Sequence, residues 1–180
     1  MAKSREFHLI IQMVLTSLYE ISSPRFFNTE RGFQGRFLIS FNKQLEERKI
    51  FPEGTIIEEE YQKSNKLHGI KQRPDLLVHI PIESSTSSNR KENNFIAFEF
   101  KLNGNKVKVL KDFDKLDEMI IKLHYNYGIF ININSLNSFL ADYEGTNKDK
   151  LQEFCIKQLD GKLKLRYAYF IEGKIIISDI

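Results

Sequence analysis

Three stretches of this chain, residues 76–80, 95–100 and 127–133, are apolar almost without interruption. A strand with one wet face alternates apolar and polar residues, so runs lacking that alternation read as strands buried in a sheet, and residues 95–100 as one covered on both faces. Covering layers must come from elsewhere in the chain, and the flanking segments supply helices. Phe7, Ile11, Val14 and Leu18 recur at helical spacing and predict an amphipathic helix over residues 4–19. Phe33, Phe37, Phe41 and Leu45 mark a second helix, capped by Asn28 or Thr29, reaching about residue 48 and weakened in its first turn by Gly32 and Gly35. A third is expected from about residue 111 to 124. The architecture predicted is α/β, a mixed β-sheet with helices on both faces.

The remaining segments complete one domain. Residues 51–54 read as a turn, 55–61 as a strand, 84–94 as a polar surface loop. Residues 135–160 read as helical, interrupted near Glu144-Gly145, and strands at 166–171 and 174–177 flank Glu172-Gly173 as a hairpin. With 180 residues and no internal repeat, a single domain is expected. Within it, 1–28 form an N-terminal helical extension, 29–133 the core, and 134–180 a C-terminal helix and β-hairpin.

Charge and cysteine usage narrow the classes. A formal charge of +3 permits a nucleic-acid partner without requiring one. One cysteine, Cys155, rules out an internal disulfide and a Cys-rich zinc site, and suits a reducing cytosol. The apolar segment after Lys3 and Arg5 is interrupted by His8, Gln12 and Thr16 and lacks a small-residue cleavage site, so it reads as a helix and not a signal peptide. No stretch approaches the roughly 18 apolar residues of a membrane span. A soluble, cytoplasmic protein is expected. The four histidines show no ligand spacing; His79, inside an apolar run, reads as a core residue, as does Cys155.

The chemistry gathers around two of the apolar runs. Arg73-Pro74-Asp75 heads the first, and Glu99-Phe100-Lys101 closes the second, 24 residues after Asp75. Glu99 and Lys101 are two apart on a strand, so their side chains share a face roughly 7 Å apart. A carboxylate beside a core costs several kcal/mol unless paired or bound to a metal. Were Asp75 within about 4 Å, repulsion would add on the order of 4 kcal/mol at an effective dielectric near 20. A divalent cation removes that repulsion, and hard oxygen ligands favour Mg²⁺ or Mn²⁺ over zinc.

Asp75 … Glu99-Phe-Lys101, set in Arg73-Pro-Asp-Leu-Leu-Val-His79 and Phe95-Ile-Ala-Phe-Glu-Phe-Lys-Leu102, resembles the PD-(D/E)XK nuclease superfamily over residues 29–133. The resemblance implies a restriction-endonuclease-like fold and Mg²⁺-dependent phosphodiester hydrolysis, with Mn²⁺ able to substitute. It implies that Asp75, Glu99 and the Phe100 carbonyl hold the metal and that Lys101 positions or activates water. It also implies an additional acid that ligates or orients a second metal ion or its water, for which Glu30 ranks first, with Glu60, Glu46 and Glu47 as rivals. Glu30 stands at the N-terminal end of the Phe33–Leu45 stripe. Lys115 suits the polar position on the following helix; an ordinary solvated lysine is the competing reading. Arg73, Lys106, Lys108 and Lys111 are candidate phosphate contacts, with a solvated basic loop as the alternative for the three lysines. DNA is the expected substrate. RNA cleavage, exonuclease action, or a silent nuclease-like module that binds nucleic acid or assembles with partners remain open. A homodimer joined through the first helix would let two sites act on two strands.

Overall fold

In a computed structural model that describes residues 5–59, 74–81 and 90–180, the apolar runs lie inside a seven-stranded sheet. Its strands are β1 (Ile56–Glu59), β2 (Leu76–His79), β3 (Asn94–Leu102), β4 (Tyr127–Ile133), β5 (Leu151–Leu159), β6 (Lys162–Ile171) and β7 (Lys174–Asp179), arranged in sequence order. β3, β4 and β5 run parallel, and the flanking pairs are antiparallel. The longer helices are α1 (Arg5–Tyr19), α2 (Glu30–Arg48) and α3 (Lys106–Leu123). Of residues 84–94, expected to be a loop, 90–93 form a single helical turn leading into β3, and 84–89 lie outside the described residues.

The period of two along each strand sorts side chains between the two faces. Leu76, Val78, Phe98, Phe100, Ile129 and Ile131 join a core with α1 and α2. Leu77, Ala97, Phe130, Leu151 and Ala168 join a second core with α3. Helices thus cover both faces, as the doubly apolar strands require. Phe37 packs edge-on to Phe98 and Phe100, with ring centroids 5.4 and 5.3 Å away. Such aromatic pairs add about 0.5–1.5 kcal/mol beyond the area they bury.

α2 begins where its cap allows. Thr29 is extended and its side chain accepts the Gly32 N–H. α3 starts earlier than the predicted residue 111, because the Asn105 side chain caps it by accepting the Lys108 N–H at 3.1 Å. The hairpin about Glu172-Gly173 forms as predicted, with both residues at positive φ, the conformation a two-residue turn of this hand requires.

Residues 135–160 are not helical. They hold two short 3₁₀ turns, Leu140–Asp142 and Lys148–Lys150, and then β5, so Cys155 is a strand residue. Residues 151–156 are buried whichever way they point, so this strand carries no alternation. Leu151, Phe154, Cys155 and Leu159 also fit helical spacing, and pairing with β4 and β6 decides in favour of the strand.

α1 is part of the fold itself. Ile10, Met13, Val14 and Leu18 are fully buried, and Phe7 meets the Tyr127 ring at 5.1 Å. Its apolar face is covered by the chain's own core. Among the described residues no helix is long and apolar enough to cross a membrane.

Candidate functional site

β2 and β3 are antiparallel neighbours in a register that pairs Leu76 with Phe98. Asp75 stands one residue before that pair, and its N–H donates to the Phe98 carbonyl at 3.2 Å. Continued by one step, the register sets Asp75 beside Glu99. Parity puts Asp75, Glu99 and Lys101 on the Leu77 and Ala97 side, facing α3. The Asp75 carboxylate accepts the Phe100 N–H at 2.7 Å, and Gln34 of α2 fixes its main chain by donating to the Asp75 carbonyl at 3.0 Å.

Glu30 reaches this point from the opposite face. As the first residue of α2, it accepts the Leu102 N–H at 2.9 Å and lies 3.4 Å from the Lys101 ammonium. The sequence placed an additional acid here, and Glu30 arrives; its rival Glu60 and the phosphate candidate Arg73 lie outside the described residues. α3 contributes Lys115, whose Nζ is 3.1 Å from Glu99. Lys115 is therefore not simply solvated. Lys106 instead pairs with Asp142 at 2.7 Å, while Lys108 and Lys111 point into solvent. His79 is buried against Glu58 at 2.7 Å, consistent with a core histidine.

Two further residues belong to the site. Gln34 was hidden by its polarity, although it lies three residues before Phe37 on the inner stripe of α2. Asp112 is buried on α3, between Lys115 at 2.9 Å and Lys101 at 3.6 Å. With the helix starting at residue 106, Asp112 falls in line with Val109 and Leu116, a core position where an acid is anomalous. An expected start near residue 111 concealed this by putting Asp112 in an ordinary first-turn position.

Four carboxylates (Glu30, Asp75, Glu99, Asp112) thus meet two ammonium groups (Lys101, Lys115), an excess of two negative charges when all are ionised. Burial raises the Asp75 carboxyl to about 6, with Glu30 adding to the rise, while the Phe100 N–H and Lys101 oppose it. Glu99, 1% exposed, is pushed well up by burial and then by Asp75. Burial pulls both lysines down. Asp112 and Glu30 outweigh that at Lys101, and Glu99 and Asp112 outweigh it at Lys115, so both stay above their ordinary values. At neutral pH both are cations. Lys101 here can orient a water and offset charge, but it has no lone pair with which to take a proton.

The residues fit a divalent cation on two counts. Glu99 Oε1 is buried with no hydrogen-bond partner, and the charge excess matches one such ion. Against this, among the described residues no three of His, Cys, Asp and Glu converge closely enough to hold a metal among themselves. Lysines stand between the carboxylates instead. The chain matches no protein-family model, no curated protein and no solved structure.

Proposed function

We propose that this protein is a Mg²⁺-dependent nuclease that hydrolyses phosphodiester bonds in DNA, with a restriction-endonuclease-like core of the PD-(D/E)XK type. The observation carrying the reading is the meeting of Asp75, Glu99 and Lys101 with Glu30 and Lys115 at one end of the sheet. Asp75 and Glu99, with the Phe100 carbonyl, would hold Mg²⁺ or Mn²⁺, which when bound polarises phosphoryl oxygens and lowers the pKa of bound water. Lys101 orients the attacking water and offsets charge on the phosphoryl oxygens. Glu30 holds Lys101 in place. Lys115 lies within the same cluster and offers a second positive charge to the scissile phosphate.

The surroundings suit a polyanion. A cleft of about 480 Å³ lies at the carboxyl ends of β3, β4 and β5, with Asn103, Lys106, Asn134 and Lys157 in its lining beside Leu136, Phe139 and Leu159; the clustered acids, Lys101 and Lys115 are not among its lining residues. Lysines such as Lys157 there could meet backbone phosphates, the contacts that supply most sequence-independent affinity. The single unpaired cysteine, buried on β5, suits a reducing cytoplasm.

One observation favours a second reading. Lys101 and Lys115 already partner the carboxylates, as in a structural ion-pair network within a silent nuclease-like module that binds nucleic acid without cutting it. A cleavage panel separates the two. Supercoiled, linear, single-stranded and branched DNA, and RNA, are incubated with Mg²⁺, Mn²⁺ or EDTA, using wild type and folded Asp75→Ala and Lys101→Ala variants. Metal-dependent cutting lost in both variants is the expected result. No cutting of any substrate, with DNA binding unchanged in the variants, would leave the silent module.

A further inference from the structure

The mechanism leaves Asp112 without a task, although it is 3% exposed and touches both lysines. Its Oδ1 lies 2.9 Å from Lys115 Nζ, while Oδ2 is buried with no hydrogen-bond partner, 3.6 Å from Lys101 Nζ. Lys115 in turn sits 3.1 Å from Glu99 Oε2, and the other Glu99 oxygen is buried without a donor. One ammonium therefore bridges two buried carboxylates, each with an oxygen to spare.

Resting on the cation-binding reading above, we propose that Lys115 occupies the place at Glu99 that a divalent cation would take, and that Asp112, already in contact with Lys115, is the positioning residue that retains it when a cation displaces it from Glu99. The two carboxylates differ in what holds them. Glu99 is fixed in β3, paired with β4 in the middle of the sheet. Lys115 hangs on a flexible four-carbon stem and shares a helix face with Asp112, three residues earlier. Giving up the Glu99 contact while keeping the one to Asp112 thus needs only a change of side-chain rotamer and no movement of the backbone. Lys101 is the natural contrast, since its ion-pair partners are Glu30 and Asp112. The exchange keeps Lys115 beside the cation, ready to meet a phosphate, instead of releasing it to solvent.

The test is a Mn²⁺ titration of the whole chain without nucleic acid, reading free Mn²⁺ by electron paramagnetic resonance. Variants are Lys115→Met, Asp112→Asn, both together, Lys101→Met and Glu99→Gln, each checked for folding by circular dichroism. Lys115→Met should tighten binding by about tenfold, since a competing charge at contact distance is removed. Lys101→Met, which removes the same charge from a site not touching Glu99, should tighten it clearly less. Asp112→Asn should weaken binding, and should do so much less in the Lys115→Met background. Equal tightening by the two lysine variants, or an Asp112→Asn effect of the same size in both backgrounds, would reduce the arrangement to general electrostatics and overturn the exchange. If wild type binds Mn²⁺ through Glu99 but Lys115→Met does not tighten it, the exchange alone is wrong. If no variant binds Mn²⁺, the cation-dependent reading falls with it. Should Asp112→Asn not fold, the comparison of the two lysine variants decides.

Discussion

Glu30 Oε2 accepts the main-chain N–H of Leu102 at 2.9 Å, joining the first residue of a helix on one face of the sheet to the last residue of a strand whose chemistry faces the other. The same carboxylate lies 3.4 Å from Lys101. One acid thus ties down the strand end and sets the ammonium, and the two duties can be separated by substitution.

Glu30→Gln retains an acceptor for Leu102 but loses the charge beside Lys101; Glu30→Ala loses both. On the proposed function, cleavage should fall in both variants. Unfolding free energy should drop by about 1 kcal/mol more in Glu30→Ala than in Glu30→Gln. Urea denaturation alongside a cleavage assay measures the split. Equal stability of the two variants would mean that the Leu102 contact contributes nothing.

Asp75 makes the metal-free protein sensitive to pH. Its carboxyl titrates near 6 when folded, above the ordinary 3.8, so the folded state holds this proton more tightly than the unfolded state. The stability tied to it is complete below about pH 4 and is lost as pH rises through about 6. Asp75→Asn should remove that decline and stabilise the metal-free chain at pH 7 by on the order of 1–2 kcal/mol. Thermal melts from pH 4 to 7.5 in EDTA test this. A wild-type curve parallel to that of the variant would contradict it.

The same titration competes with cation binding. If Asp75 is a ligand, Mg²⁺ or Mn²⁺ affinity should fall steadily as pH drops below about 6, where the carboxyl takes up its proton. Calorimetric titrations at pH 5, 6, 7 and 8 give the profile. A flat profile would take Asp75 out of the ligand set.

Glu153 offers a test independent of any chemistry at the cluster. It is fully buried on β5, accepts the N–H groups of Phe139 and Leu140 at 3.0 and 2.9 Å, and bonds the Ser138 hydroxyl. Burial holds its pKa up while those donors pull it down. Glu153→Ala would strand these donors in the core and should cost about 3 kcal/mol, with raised hydrogen exchange over residues 137–143. A change under 1 kcal/mol would show that the loop is anchored elsewhere.

Gly104 is a packing constraint close to the cluster. A Cβ there would come within 2.8 Å of Val109 Cγ2 and 2.9 Å of Asn132 Oδ1, and Asn132 already accepts the Gly104 N–H. Gly104→Ala should destabilise by about 1–3 kcal/mol, as overpacking does. An unchanged urea midpoint would mean that the loop gives way freely.

How far the sequence revealed this depended on whether burial left a periodic trace. Phe33, Phe37 and Phe41 recur on one helix stripe, and β2, β3 and β4 are apolar with little interruption, so the sheet's centre and the meeting of Asp75, Glu99 and Lys101 were legible. β5 was misread because Gln152 and Glu153 are buried along with their apolar neighbours, which leaves no alternation to detect. Asp112 and Gln34 escaped for a related reason. Both are polar residues at core positions, and only the exact start of α3 and the inner face of α2 reveal that water does not reach them.

Once its four carboxylates are ionised, the cluster at the sheet's end carries a surplus of two negative charges, which implies an order of events for the proposed nuclease. A phosphodiester is itself an anion, so the cluster without its cation repels the very group it is meant to cut. On the proposed function, loading of the ion would precede productive docking of the nucleic acid, and the protein would be gated by its own field. DNA binding in EDTA should accordingly be stronger for Asp75→Asn than for wild type, and Mg²⁺ should narrow that difference. Equal affinities in EDTA would remove the gate. On the proposed function, such a centre would stay silent until its cation is loaded.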